Sequence, residues 1–251
     1  MKSKTDSLKA ICYTKPVLKN HVLLEIKTSP DSQEAAEAAI QLFSTLPDLK
    51  NNLWAQILNQ SEAISFEIWV YQQRLHFLVH VPLRLLEYFK GALHASYPAA
   101  VISEVTFDPT SYFIQAPLTL AKPALASLKL KNHSYLPLKT FQEFKEIDPL
   151  ATLLATLSKN TGDDAILLQM LLDNEASFFA QQPVLSSEAL ANHPQKNLIE
   201  QKLNKRSLKV SFKLAVITDQ AQKSKLLLKN IAAAYQAISQ SEGNTLQLKQ
   251  R

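Results

Sequence analysis

The side chains of this chain that could act on a ligand are few, and most of them are basic. Lys202, Lys205, Arg206, Lys209 and Lys213 lie close together in a C-terminal region of strongly positive charge. From Leu190 onward there are 11 Lys/Arg against 3 Asp/Glu, whereas residues 1–189 hold 16 against 19. Such a cluster suits an anionic partner, DNA or an anionic lipid surface, held by attraction that salt screens. A solvated basic face on ordinary helices would look the same in sequence.

The other reactive types are arranged unfavourably. His76 and His80 are four residues apart on an alternating segment, about 13 Å along a strand. That is too far for two imidazoles to share a zinc ion at bonds of about 2 Å. Cys12 is the one cysteine, with no His or acid beside it, so neither a disulfide nor nucleophilic catalysis is expected. Asp163 and Asp164 adjoin at a turn and are expected to be solvated. A phosphate cradle needs glycines so that consecutive backbone N–H groups can wrap the anion. The chain has 3 glycines and neither a G-x-x-x-x-G-K-[ST] nor a G-x-G-x-x-G pattern. No catalytic residue, cofactor or metal site is expected, and the chain is read as a non-enzyme.

Aromatic side chains give the remaining candidate surface. Trp69, Tyr71, His76 and His80 share one face of a predicted hairpin, opposite its apolar positions. RRM sheets of similar layout stack bases there, although the RNP1 pattern is absent from Arg74–Val81. The preferred alternative is an interface, with this face packed against the second half of the chain or a neighbouring subunit.

The elements that must position these residues follow from hydrophobic periodicity. Val22–Ile26 alternates as a strand, Ala36, Ile40, Phe43 and Leu46 make a helical stripe, and Ser29-Pro30-Asp31 starts that helix. Ile64–Tyr71 and Leu75–Val81 form a hairpin about Gln72-Gln73. A helix with Leu86, Phe89 and Leu93 inward and a strand over Val101–Phe107 complete a β-α-β-β-α-β pass. Residues 124–249 repeat it. Leu128 and Leu130 mark the first strand, and Asp148-Pro149 opens a helix with Leu150, Leu153, Leu154 and Leu157 inward, stopped by Asn160-Thr161-Gly162. Ile166–Leu172 is an apolar strand covered on both faces. The last strands are Leu208–Val216 and Leu246–Leu248, around a helix bearing Leu227, Ile231, Ala234 and Ile238. The expected fold is α+β: two ferredoxin-like units in tandem, antiparallel sheets with helices on one face. The expected organisation is a polar tail over 1–20, a first unit over 21–110, a connector with extended pieces over 111–123, and a second unit over 124–251. The second unit carries an inserted helix over 186–206, broken at His193-Pro194. Length and composition suit two such cores. No segment reads as a membrane span, and a cytoplasmic location is expected.

Several strings carry a family resemblance. They are His21–Lys27 with the Ala-rich Glu34–Leu46, the Ile64–Ile68 and Leu75–Val79 hairpin, and His94-Ala95-Ser96-Tyr97-Pro98. In the second half they are Leu136–Phe141, Asp148-Pro149-Leu150, Gln169, and Glu200-Gln201-Lys202-Leu203 ahead of Val210–Val216. In this order, over approximately residues 20–249, they resemble the domain ahead of the ATPase in bacterial conjugative DNA-transfer proteins of the type IV secretion coupling-protein kind. The resemblance implies a non-catalytic assembly and positioning module. Its implied partners are a hexameric P-loop ATPase in cis or in trans, DNA, the inner face of the cell membrane, and further copies of the chain. The family's catalytic residues belong to the ATPase, so none is carried over. A free-standing tandem RRM-like nucleic-acid binder is the alternative.

Overall fold

Alternating segments fold as strands and 3.6-period segments as helices in a computed structural model. It describes residues 20–28, 36–46, 63–107, 109–114, 120–140, 143–144, 149–158, 164–173, 185–204 and 208–250. The strands are β1 (His21–Lys27), β2 (Ile64–Tyr71), β3 (Arg74–Pro82), β4 (Val101–Glu104), β5 (Ala124–Leu130), β6 (Ala165–Asp173), β7 (Lys209–Ile217) and β8 (Leu246–Gln250). The α-helices are α1 (Ala36–Thr45), α2 (Leu86–Ser96), α3 (Pro109–Ile114), α4 (Pro149–Leu157), α5 (Ser187–Ala191), α6 (Lys196–Leu203) and α7 (Ala221–Ala234). Among the described residues the fold is therefore mixed α+β, with one eight-stranded antiparallel sheet and seven α-helices.

The strand order is β4-β1-β3-β2-β6-β7-β5-β8. Counted inward from its outer edge, each half runs fourth, first, third, second. The halves meet where β2 pairs with β6, from Ile64 opposite Leu172 to Tyr71 opposite Ala165. This seam makes β6 an interior strand with apolar side chains on both faces: Ile166 and Leu168 join one core cluster and Leu167 another.

Two clusters lie under the main helices. Leu24, Ile64, Val79 and Val81 pack with Leu42 and Leu46 from and beside α1 and with Phe89 and Leu93 of α2. Ala126, Leu128, Leu214, Val216 and Leu246 pack with Leu153 and Leu157 of α4 and with Leu228 and Ile231 of α7. A third cluster lies on the opposite, open face, where Leu23, Trp69, Leu78, Leu167, Ala215 and Ile217 meet Phe113 of α3.

Several expectations change. The helices are not all on one face, because α3 covers the other; the expected extended connector has folded a short helix there. The strand expected over Val101–Phe107 leaves the ladder after Glu104, and Phe107 turns onto Trp69, ring centroids 4.8 Å apart. Ile40 and Leu150, expected inward, are 49% and 44% exposed. The buried faces of their helices are set by Leu42 and Leu46, and by Leu153 and Leu157. The inserted helix keeps its expected break at His193-Pro194 and forms two helices, α5 and α6, since Pro194 has no N–H to continue α5. The hairpin turn places Gln72 and Gln73 at φ 49° and 61°. Two left-handed residues match the twist of the flanking strands, although Asn-Gly is the usual choice. Residues 1–19, Ser29-Pro30-Asp31, Asp148 and Asn160-Thr161-Gly162 lie outside the described residues.

Candidate functional site

The open face of the sheet gathers most of the polar and aromatic side chains that stood out in sequence. Because Ile64, Phe66, Ile68 and Val70 point to the helices, Ser65, Glu67, Trp69 and Tyr71 must point the other way. On β3 the same alternation puts His76 and His80 beside them. Trp69 stacks on Tyr71 at 5.2 Å between ring centroids and 18° between planes, with His76 at 5.4 Å. Tyr112 of α3 meets Tyr71 at 4.8 Å. The aromatic surface is thus covered by Phe107, Tyr112 and Phe113 of the same chain, and Trp69 is only 6% exposed.

Deeper on this face sits a carboxylate, Glu67, in the same alternation as Trp69 and Tyr71. Glu67 is buried, and its Oε1 accepts from Ser65 Oγ at 2.9 Å and from Gln169 Nε2 at 2.7 Å. His80 Nε2 lies 3.8 Å from the same oxygen. Glu67 and Gln169 are register partners across the β2–β6 seam. Their bond therefore joins the two halves through side chains as well as through the ladder. A lone Gln in an apolar strand was the signal available in sequence: a buried amide needs a partner.

Glu25 forms a second acid–imidazole pair toward the edge, accepting from His76 Nδ1 at 2.7 Å and from Lys27 at 3.0 Å. Burial pushes the Glu25 carboxyl up, but the hydrogen bonds from His76 and Lys27 and the adjacent charge outweigh this and hold it below its ordinary value. A carboxyl depressed in the folded state adds stability above its unfolded pKa of roughly 4.3, and loses it as pH falls through the folded value. Glu25→Gln is expected to flatten the acid limb of stability between about pH 5 and pH 3, measured as urea midpoints across that range. An unchanged limb would contradict this.

The basic candidates are dispersed. Lys202 is half-buried on α6, where its ammonium donates to the carbonyls of Ser134 and, at 3.2 Å, Leu136. Burial lowers its pKa. It clamps α6 to a turn and does not project from the surface. Lys213 lies on the open face of β7, opposite Gln169. Lys205, Arg206 and the Lys209 side chain lie outside the described residues. Asp164, expected to be solvated, is instead 3% exposed and paired with Lys223 Nζ at 2.7 Å, which raises the lysine pKa. Asp163 lies outside the described residues.

The turn that Lys202 clamps is organised by Asn244, which is 1% exposed. Its amide donates to the carbonyls of Asn132 and His133, and its Oδ1 accepts from Asn132 N at 2.9 Å. Gly243 makes this approach feasible. A Cβ there would stand 2.4 Å from Pro137 O, the oxygen that accepts from Asn244 N. Gly243→Ala should destabilise by about 1–3 kcal/mol through overpacking against backbone, read as a lower urea midpoint. A wild-type midpoint would show that the turn yields freely.

Among the described residues, no group of three or more His, Cys, Asp or Glu side chains is placed to hold a metal ion. Nor is any helix among them long and apolar enough to cross a membrane. A family model described as "Domain of unknown function (DUF8128)" matches residues 6–174. The chain belongs to that family. The matched DUF8128 span includes both strands of the seam. No curated protein matches the chain. Among solved structures it is similar to CrmK, a flavoenzyme involved in the shunt product recycling mechanism in caerulomycin biosynthesis. The identity is 12% and the TM-score 0.40, over 87% of this chain and 41% of that one. The DUF8128 chain therefore spans about two fifths of the CrmK chain.

Proposed function

We propose that this chain is a non-catalytic assembly module, built as two ferredoxin-like units fused side by side, that positions a DNA-translocating ATPase of the type IV secretion or conjugation kind. The repeated strand order, fourth-first-third-second from each edge, supports the duplication. The observation that carries the functional reading is the open face. Its aromatics are covered by Phe107 and Tyr112, and its buried polar groups bond to one another, Glu67 to Gln169 across the seam. Groups spent in this way brace a platform. The ATPase would act in cis or in trans, near the inner face of the cell membrane, with further copies of the chain as neighbours.

Base stacking on Trp69 and Tyr71, which the RRM-like alternative requires, would first have to displace Phe107 and Tyr112. The test is co-expression of the tagged chain with the P-loop ATPase encoded in the same reading frame or in the adjoining gene. The proposal expects one co-eluting complex of fixed stoichiometry on size exclusion. A chain that elutes alone from every such ATPase overturns it.

A further inference from the structure

We infer that the lysine-bearing part of the sheet face turned away from the helices in the second half, on β7, β5 and β8, binds the phosphate backbone of DNA. Phe212, Leu214, Ala126, Leu128, Leu246 and Leu248 all pack toward the helices. Alternation therefore turns Ser211, Lys213, Ser127, Lys129, Gln247 and Lys249 to the opposite side. The register aligns them. Lys213 and Lys249 flank Ser127 on its two sides, and Lys129 stands opposite Gln247. With strands about 4.8 Å apart and a rise of about 3.3 Å per residue, the three lysines span roughly 7–10 Å. Lys129 and Lys249 are exposed, and Ser127, Ser211, Lys213 and Gln247 are half-buried.

Every one of these six side chains can donate a hydrogen bond, three carry a positive charge, and none is a carboxylate or apolar. Ammonium, hydroxyl and amide donors together are the groups that contact phosphate oxygens without reading bases. An anionic membrane surface would call for apolar side chains among the lysines to enter the lipid, whereas the residues that adjoin Lys213, Lys129 and Lys249 across β5 and β8 are Ser127 and Gln247. The corresponding face of the first half is aromatic and covered, and Leu125, Ala215 and Ile217 of the second half join that covered cluster; the lysines lie beyond it. Of the sequence cluster around Lys202, this surface includes Lys213. The inference rests on the DNA-transfer reading for the choice of DNA as the nucleic acid, and its test needs no ATPase.

The experiment is fluorescence anisotropy of a labelled 20-base-pair DNA duplex at several salt concentrations. It compares the full chain, Lys129→Glu/Lys249→Glu, and the charge-matched control Lys225→Glu/Lys229→Glu, whose lysines are exposed on α7. Three phosphate contacts predict a slope of log affinity on log salt near −2.7, reduced by about 2 in the β5/β8 variant. That variant should bind at least about tenfold more weakly at low salt, with the control close to wild type. No binding at low salt, or equal loss in both double variants, overturns the inference. So does equally tight binding of phosphatidylserine vesicles through Lys129 and Lys249. Loss of DNA binding with ATPase co-elution intact removes this inference alone; the converse removes only the assembly reading.

Discussion

Glu67→Ala should lower the free energy of unfolding by about 3–5 kcal/mol, the scale expected when two buried hydrogen-bond donors lose the acceptor they share. The Glu67 side chain is inaccessible to solvent and holds three neighbours around one carboxylate oxygen. Its removal leaves the Ser65 hydroxyl and the Gln169 amide buried without that acceptor, each costing about 1–3 kcal/mol, and leaves a cavity beside His80. Glu67→Gln keeps an acceptor oxygen in place and should lose markedly less. Urea denaturation measures both. A loss below about 1 kcal/mol for Glu67→Ala would put the carboxylate among ordinary surface positions, contrary to its role at the seam.

Phe89→Ala should cost a similar 3–5 kcal/mol by a different route. Phe89 is fully buried on α2, packed among Leu24, Leu42, Val79 and Val81, with the Phe66 ring tilted against it at 6.1 Å. Truncation removes a large apolar side chain and leaves a cavity between helix and sheet that the strands are too constrained to fill. Leu203→Ala on α6, where the leucine is 53% exposed, should by contrast stay within about 0.5 kcal/mol of wild type. Equal losses at the two sites would contradict the placement of the core.

Most of the strands and helices were legible in sequence because their apolar positions repeat at 2 or 3.6 residues. The hairpin Ile64–Pro82, for example, needs only local alternation and a two-residue turn. What escaped was tertiary. Of the two helical stripes, Leu46, Leu153 and Leu157 are buried as expected, while Ile40 and Leu150 are exposed. Periodicity locates a face only to within one residue when neighbouring positions are also apolar. The antiparallel pairing of β2 with β6 has no local signature: it brings together residues about a hundred positions apart. For the same reason Asp164 reads as solvated and Glu67 carries no sequence signal of its own, since Lys223 and Gln169 are far from them in sequence. Lys202 looked like a surface cation because nothing near it in sequence announces that α6 docks on the carbonyls of Ser134 and Leu136.

The platform itself depends on the two halves being hydrogen-bonded into a single sheet, and native-state hydrogen exchange read by mass spectrometry tests that most directly. Peptides covering β2 and β6 should exchange slowest of all and together, at rates set by global unfolding, while β4 and β8 at the sheet edges exchange faster. Seam amides that exchange as fast as those edges, or halves that open independently, would contradict the account.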